Sequence, residues 1–236
     1  ISVILPTYNE RDNVVPLARA IAEELAGREF EVLVVDDNSP DGTCQAVNDI
    51  GDPRIRGLLR TENRGFANSI RCGLENARGD LFIIMDSDWN HQPKYLPVMI
   101  EALEFYDCVS GSRFVYGGRM NSRRRHLLSW TFNIFTRLMT SGQITDSLYG
   151  FVAIHRRVLE KVDYDAVFWG YGDYCIRLMY YLQRQGATVL QIPVVNGERQ
   201  TGEGNDRFFK VFMQYFREVV ALTWRARVRG NDASSK

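Results

Sequence analysis

Residues 1–37 read ISVILPTYNERDNVVPLARAIAEELAGREFEVLVVDD, and this stretch decides the fold. Its two ends, residues 1–5 and 30–35, are short runs rich in β-branched residues, as strands are. Between them, residues 13–25 place apolar side chains at helical spacing, at Val14, Leu17, Ala18, Ile21 and Leu25. The order strand, helix, strand predicts a βαβ unit with two parallel strands.

The same alternation continues beyond this unit. A turn at 38–42 leads to a second helix through Val47, and a strand at 57–60, a helix at 65–77 and a strand at 80–85 follow. This pattern predicts an α/β fold with an open, mainly parallel, Rossmann-like sheet and helices on both faces.

After residue 107 the pattern changes to mixed segments. They are a strand near 108–110, an arginine-rich loop, and helices near 127–139 and 174–185. Because no linker rich in Pro, Gly and Ser interrupts the chain, we expect a single domain at 1–206 followed by a tail at 207–236.

Composition is that of an ordinary globular protein. With 236 residues, of which 45% are hydrophobic, the chain can bury one substantial core. Its longest apolar runs fall well short of the roughly 20 residues that a membrane-spanning helix needs, and no signal peptide is visible. The four cysteines form no CxxC pair, which argues against a zinc site and a disulfide framework. We therefore expect a cytoplasmic protein.

The two parts of the chain carry opposite charge, although the net charge is zero. Residues 1–110 contain 10 Lys and Arg against 19 Asp and Glu, and residues 111–236 contain 19 against 10. An acidic part can hold a metal ion, and a basic part can hold an anion or face an anionic membrane. The alternative is a solvated surface with uneven charge.

Residues 81–91, LFIIMDSDWNH, carry the sharpest chemical signal. An apolar strand delivers Asp86 and Asp88 to the carboxyl edge of the sheet, where ligands bind in folds of this kind. Residues two apart in extended chain point to the same side, so both carboxylates can face one hard cation and its diphosphate. This predicts a Mg²⁺ or Mn²⁺ site, and the alternative is a surface turn with two acids.

Several further motifs follow one another in a fixed order: VILPTYNE (3–10), VLVVDDNSPDGT (32–43), NRG (63–65), MDSD (85–88), GSRF (111–114) and GF (150–151). Over about residues 1–206 the chain resembles glycosyltransferase family 2, and within it the dolichyl-phosphate mannose synthases and polyprenyl-phosphate glycosyltransferases. The resemblance implies a GT-A fold and a nucleoside-diphosphate sugar donor, either GDP-mannose or a UDP-sugar. It also implies Mg²⁺ or Mn²⁺ and a polyprenyl or dolichyl phosphate acceptor.

The resemblance assigns residues to the donor site. It gives base and ribose binding to Pro6, Tyr8, Glu10 and Asp37, and it places Asp86, Asp88 and Asn90 around metal and diphosphate, with Asp86 and Asp88 as metal ligands. A tyrosine ring can stack on a base, and a carboxylate can accept from a ring N–H or a ribose hydroxyl. The alternatives are core packing for Tyr8 and a helix-capping turn for Asp36 and Asp37.

The basic second half carries an arginine cluster, Arg123, Arg124 and Arg125, ahead of the helix predicted near 127–139. Guanidinium groups donate in a planar fork that suits phosphate. The resemblance implies that Arg113, Arg125 and Ser129 bind the acceptor phosphate. A solvated run of charge is the alternative.

Two segments resemble the family motifs but depart from them. DSLYGF (146–151) places Asp146 near the sugar and acceptor, and Tyr149 stands where a serine is usual. ERQTGEGND (198–206) matches the nucleotide-binding loop at Arg199 and Glu203, whereas Asn205 replaces a lysine. The nucleotide role assigned to Arg199 rests on this likeness.

These assignments predict an inverting, metal-dependent transfer with Asp88, Arg113 and Arg125 as catalytic residues. A phosphate acceptor is already ionised and needs little help from a general base, whereas a hydroxyl acceptor would need one, from Asp146 or Asp173. Two alternatives stay open: a family 2 enzyme that acts on a glycan or small-metabolite hydroxyl, and a nucleotide-sugar-binding module without turnover.

The division of the chain follows from the same assignments. We expect a GT-A catalytic domain at 1–206, with a nucleotide- and metal-binding half at 1–110 and an acceptor-binding half at 111–206. Residues 208–224 space apolar residues as an amphipathic helix and are followed by three arginines, which fits either packing on the domain or peripheral contact with the cytoplasmic membrane face. No nucleic-acid partner is expected. The three histidines are expected to pack or to be solvent exposed, and of these only His91 is close to the acidic motif.

Overall fold

The predicted βαβ unit is present, and its two strands are neighbours inside a seven-stranded sheet. A computed structural model describes residues 1–120, 122–197 and 212–224. The strands of this part are β1 (Ser2–Thr7), β2 (Glu31–Asp36), β3 (Ile55–Leu59), β4 (Leu81–Ile84), β5 (Cys108–Ser112), β6 (Val152–His155) and β7 (Val189–Pro193). They form one sheet in the order β3-β2-β1-β4-β6-β5-β7, in which β6 alone of the described strands runs antiparallel. The mainly parallel α/β sheet is confirmed.

Helices cover both faces of this sheet. They are α1 (Arg11–Glu24), α2 (Thr43–Asn48), α3 (Phe66–Asn76), α4 (Leu96–Ala102), α5 (Arg123–Thr140), α6 (Arg156–Leu159), α7 (Tyr164–Val167), α8 (Tyr174–Arg184) and α9 (212–224). α1 and α4 pack on one face, against Val3 and Ile83, and α3 and α8 pack on the other, against Ile4 and Phe82. Successive strand residues point to opposite faces, so a strand buried on both sides is apolar throughout.

Several elements differ from the sequence-based prediction. β6, β7, α4, α6 and α7 were not predicted, because each is short and carries too few residues to show a period. α5 begins at Arg123, so the three arginines form its first turn and do not precede it. The Ser122 hydroxyl accepts a hydrogen bond from the Arg125 N–H and caps this helix.

α9 lies against α5 and α8. Its buried residues Val219 and Leu222 contact Phe132 of α5 and Ile176 of α8. The expected packing of this helix on the domain is therefore confirmed over 212–224, while 208–211 and 225–236 lie outside the described residues. Within the described ranges, no helix is both long and apolar enough to cross a membrane. The division at 1–110, 111–206 and 207–236 stays a prediction.

Candidate functional site

A cleft of about 770 Å³ opens at the carboxyl ends of the central strands. From β1 the chain proceeds to β2 and β3 on one side and then crosses back to β4 on the other side of β1, so the strand order reverses there. In open α/β sheets ligands bind at this point. The cleft is lined by Pro6, Thr7, Tyr8, Glu10, Asp37, Arg64, Gly65, Phe66, Ser69, Asp86, Ser87, Asp88 and Tyr171. The structure thus brings together six of the residues predicted for nucleotide or metal.

The acidic turn, which we define as residues 86–91, follows β4 directly. Asp86 is about one-third exposed, with its side chain at 33%, and Asp88 is half-buried. The backbone N–H and the side-chain amide of Asn90 donate to the two oxygens of the Asp88 carboxylate, at 3.1 and 2.7 Å. Asn90 does not line the cleft. Its hydrogen bonds orient the carboxylate of Asp88, which lines the cleft.

The donor set of the acidic turn fits a cation that is shared with a phosphate ligand. Among the residues that the structure describes, no three His, Cys, Asp or Glu side chains are grouped closely enough to hold a metal ion. Mg²⁺ is usually bound by one or two carboxylates, with waters and substrate phosphates as its other ligands. Asp86 and Asp88 match that pattern, so these two residues would hold the ion in the cleft.

His91 is a buried member of the acidic turn, with only 1% of its surface exposed. Its Nδ1 accepts from the Asp86 backbone N–H at 2.8 Å, and its Nε2 lies 2.8 Å from the Tyr149 carbonyl oxygen. The first contact needs a bare Nδ1 and the second needs a proton on Nε2, which fixes one neutral tautomer. Burial lowers the pKa of His91 to about 4, in agreement with the neutral ring. Of the two expectations for this histidine, packing is confirmed.

Tyr8 also lines the cleft and is half exposed, so core packing is wrong for this residue. The guanidinium of Arg64 lies 5.1 Å from the centre of the Tyr8 ring. Arg64 was not among the predicted site residues. The sequence feature that could have indicated it is the NRG motif. Its glycine, Gly65, adopts φ +140, and the turn that it makes places residues 64–66 at the cleft. Glu10 precedes α1 and accepts from the Asn13 side-chain amide.

Asp37 connects β2 to the start of α3. Its Oδ1 accepts from Arg60 at 2.6 Å and from the Ser69 hydroxyl at 2.8 Å, and its Oδ2 accepts from the Gly65 N–H at 2.6 Å. The carboxylate lines the cleft and is not a helix cap. Asp36, by contrast, is buried and accepts from Ser39, as expected for a residue that only shapes a turn.

Arg113 and Asp146 form a buried ion pair. The Arg113 Nε and Nη2 atoms donate to the two carboxylate oxygens at 2.7 and 2.8 Å, and the Arg113 backbone N–H donates at 3.0 Å. The side chains are 11% and 0% exposed. Both residues were assigned to the acceptor, and the structure shows them holding each other. Asp146 is therefore not an accessible general base.

Asp173, the other base considered, is enclosed in the same way. Its carboxylate accepts from Arg177 at 2.8 Å and from the Tyr171 N–H at 2.8 Å, and 1% of the residue is exposed. The guanidinium of Arg177 also donates to the Val167 carbonyl and lies 3.8 Å from the centre of the Trp169 ring. This cluster supports the loop from which Tyr171 reaches the cleft.

Arg125 and Ser129 lie on α5 and do not line the cleft. Arg125 is exposed and Ser129 is half-buried. One residue after Arg125, the His126 ring packs edge-on against Phe114, with centroids 5.0 Å apart, and Phe114 follows Arg113. The first turn of α5 is thus held next to the Arg113 segment. Arg199, with Glu203 and Asn205, lies outside the described residues.

Comparisons with known proteins agree with this architecture. The model of glycosyl transferase family 2 matches residues 2–163. A dolichol-phosphate mannosyltransferase of Pyrococcus furiosus is 29% identical over 97% of this chain and 65% of its own length. An undecaprenyl-phosphate mannosyltransferase of Micrococcus luteus is 35% identical over 85% of this chain and 84% of its own length. The chain belongs to glycosyl transferase family 2.

Solved structures show the same fold. Glucosyl-3-phosphoglycerate synthase from Mycobacterium tuberculosis, in complex with Mn²⁺, UDP and glucosyl-3-phosphoglycerate, superposes with a TM-score of 0.74 at 19% identity, over 93% of this chain and 78% of that one. The same enzyme in complex with Mg²⁺ and UDP gives a TM-score of 0.74 over the same shares. The GT-A fold is confirmed. The chain spans 65% of the length of the Pyrococcus relative.

Proposed function

We propose that this protein transfers a sugar from a nucleoside-diphosphate sugar, GDP-mannose or a UDP-sugar, to a polyprenyl or dolichyl phosphate, with inversion and with Mg²⁺ or Mn²⁺. The proposal rests on the cleft at the ends of β1, β2 and β4, which is lined by carboxylates and by aromatic residues. The curated relatives are named for transfer to dolichol phosphate and undecaprenyl phosphate.

The donor fits the cleft by its chemistry. The exposed Tyr8 ring offers a face to the base, and Arg64 beside it adds a cation near the phosphates. Pro6, Glu10 and Asp37 line the same cleft as Tyr8 and would contact the base and the ribose. Asp86 and Asp88, with Asn90 orienting Asp88, would hold the cation. When bound, that cation supplies the positive charge that stabilises a departing diphosphate.

The burial of the two candidate bases favours one class of acceptor. Asp146 and Asp173 are both enclosed in ion pairs with arginines, so neither can reach a substrate hydroxyl. A phosphate monoester carries about −1.5 to −2 charges at neutral pH and attacks without losing a proton to the protein. A phosphate acceptor is therefore the one that these residues favour. Arg125 and Ser129 at the start of α5, next to Arg113, would bind it.

A lipid-linked acceptor implies a membrane surface, and α5 provides a suitable face. Leu127, Trp130, Ile134 and Leu138 recur at helical spacing on its outer side; Ile134 is half-buried and the other three are exposed. α9 runs beside it, with Phe216 stacked on Phe135 at 4.9 Å and Trp224 exposed. We propose that this face makes peripheral contact with an anionic cytoplasmic membrane face, with the arginines of α5 at the headgroups. Sedimentation with anionic vesicles should be weakened by Trp130→Ser, and equal binding by wild type and variant would contradict this contact.

A screen of donors against acceptors tests the proposed reaction. The protein is incubated with GDP-mannose, UDP-glucose or other sugar nucleotides and with undecaprenyl phosphate, a glycan or a small polyol, with Mn²⁺ or with chelator, and products are read by mass spectrometry. We expect a glycosyl phosphoprenol that requires metal. A product formed only on hydroxyl acceptors would favour the glycan- or metabolite-modifying alternative, and nucleotide binding without any product would favour a binding module.

A further inference from the structure

Tyr149 contacts the acidic turn at two places. It is buried, at 5% exposure, and its hydroxyl donates to the Asn90 carbonyl oxygen at 2.9 Å. Its own carbonyl oxygen accepts from His91 Nε2 at 2.8 Å, and the two rings meet edge to face with centroids 4.4 Å apart. The family motif has a serine at this position, and a serine is too short to reach Asn90 from there.

His91 continues the connection to the first carboxylate-bearing residue. Its Nδ1 holds the Asp86 N–H, and its ring stacks on Phe151, which precedes β6, at 4.9 Å. A single chain of contacts therefore runs from the Asp86 backbone through His91 to the Tyr149 backbone. Because both ring nitrogens are used, rotation of this ring would break two hydrogen bonds in a site without water access.

The acidic turn needs such restraint because its backbone is strained. Trp89 adopts φ +69, a left-handed conformation that is unfavourable for a non-glycine residue and persists only where the surroundings enforce it. The Trp89 indole donates to the Asn13 carbonyl at 3.2 Å, and the Gly197 N–H donates to the Asn90 carbonyl at 3.0 Å. With the Tyr149 hydroxyl, the Asn90 carbonyl thus has both lone pairs occupied.

We propose that Tyr149 and His91 are positioning residues that hold the acidic turn in its metal-binding shape before a cation arrives. The inference rests on the proposed function, since it takes Asp86 and Asp88 as the metal ligands. It goes beyond that function by assigning the preorganisation of the site to two residues that touch neither metal nor substrate. Loss of either contact allows Trp89 to relax, and the two carboxylates then separate from their common ligand position.

The test is Mn²⁺ affinity measured by electron paramagnetic resonance, with Mn²⁺ alone and with Mn²⁺ plus saturating UDP or GDP. Tyr149→Phe keeps the ring and removes one hydroxyl, so we expect about fivefold weaker Mn²⁺ binding, the effect of one hydrogen bond. His91→Leu should weaken it by more than about tenfold. His91→Asn should rescue part of the loss, because the Asn Oδ1 can still accept from the Asp86 N–H.

Matched controls separate positioning from general damage. Tyr106→Phe alters an exposed tyrosine, and His155→Asn alters a histidine that contacts the Leu103 carbonyl away from the cleft. Neither should change Mn²⁺ affinity. In transfer assays the Tyr149→Phe variant should show a raised apparent KM for Mn²⁺ with kcat within about twofold of wild type at saturating metal.

The possible results are distinguishable. If wild type binds no Mn²⁺ with UDP or with GDP, the metal-dependent function fails and the inference fails with it. If wild type binds Mn²⁺ while folded Tyr149→Phe and His91→Asn proteins, checked by circular dichroism, bind it equally well, the positioning role alone is wrong. A lower kcat at saturating Mn²⁺ with unchanged Mn²⁺ affinity would also overturn it.

Discussion

The acidic turn of the first half and two ion pairs of the second half use their charged residues differently. In the first half, Asp86 and Asp88 follow a parallel strand and line an open cleft. In the second half, Arg113 with Asp146 and Arg177 with Asp173 are buried as internal ion pairs. The first arrangement presents charge to a ligand, and the second uses charge to fix loops beside that ligand. Of the two arginines predicted to bind the acceptor phosphate, Arg113 is therefore paired inside the protein, whereas Arg125 on α5 is exposed.

The largest expected effect is on the rate of transfer, when a carboxylate that lines the cleft is replaced. Asp88→Asn should lower transfer by at least about 100-fold, because the diphosphate charge that develops in the transition state loses its metal site. Folding should be unchanged, since this residue is half-buried and pairs locally with Asn90. Steady-state rates at saturating Mn²⁺ check the prediction, with Asp49→Asn on the surface as control. Near-normal turnover would remove Asp88 from the metal site.

Breaking an internal pair should affect stability before chemistry. Asp146→Asn leaves Arg113 buried without its counter-charge, and we expect the free energy of unfolding to fall by about 3–5 kcal/mol. Urea denaturation measures this loss. Adding Arg113→Met should cost less than the sum of the two single changes, because the pair acts as a unit. Additive losses would show that the two side chains are not coupled.

Replacing an exposed arginine should weaken acceptor binding and leave stability almost unchanged. Arg125→Ala should change the free energy of unfolding by less than about 0.5 kcal/mol, as is usual for an exposed residue. Its apparent KM for polyprenyl phosphate should rise by roughly tenfold, the loss of one charge-assisted contact, with nucleotide affinity unchanged. Arg125→Lys should rescue this only in part, because lysine lacks the forked geometry. Arg137→Ala, in the last turn of the same helix, is the control. An equal rise in KM for this variant would show that the effect depends on the net charge of the helix and not on the position of Arg125.

The smallest expected effect concerns the wall of the cleft. Arg64→Ala removes the cation from beside the Tyr8 ring and should weaken UDP or GDP binding by roughly three- to fivefold. Calorimetric titration measures it, and the exposed Arg78→Ala variant serves as control. Unchanged affinity would place the phosphates away from Arg64.

Much of the donor side could be predicted from sequence, because position at a strand end determines it. Asp86 and Asp88 follow an apolar run, and a side chain at the carboxyl end of a parallel strand has few neighbours to cover it. The pairing of Arg113 with Asp146 could not be predicted in this way. The two residues are 33 positions apart, and they meet only because β5 and the 146–149 loop are brought together by β6, a strand too short to show a period.

Helix α5 shows a second limit. Three consecutive arginines suggest a loop, and the start at Arg123 depends on the Ser122 cap and on apolar residues further along the helix. Similarly, nothing local to Tyr149 indicates that its hydroxyl reaches Asn90, 59 residues away.

We propose that the acceptor brings an oxygen that is already ionised and needs no base on the protein, because Asp146 and Asp173 are held in ion pairs with arginines. The most direct measurement compares initial rates with undecaprenyl phosphate and with undecaprenol, its alcohol, under the same donor, Mn²⁺ and detergent. We expect a glycosylated product from the phosphate and none above background from the alcohol. Comparable rates with the two acceptors would contradict it, because a group on the protein would then be taking the hydroxyl proton.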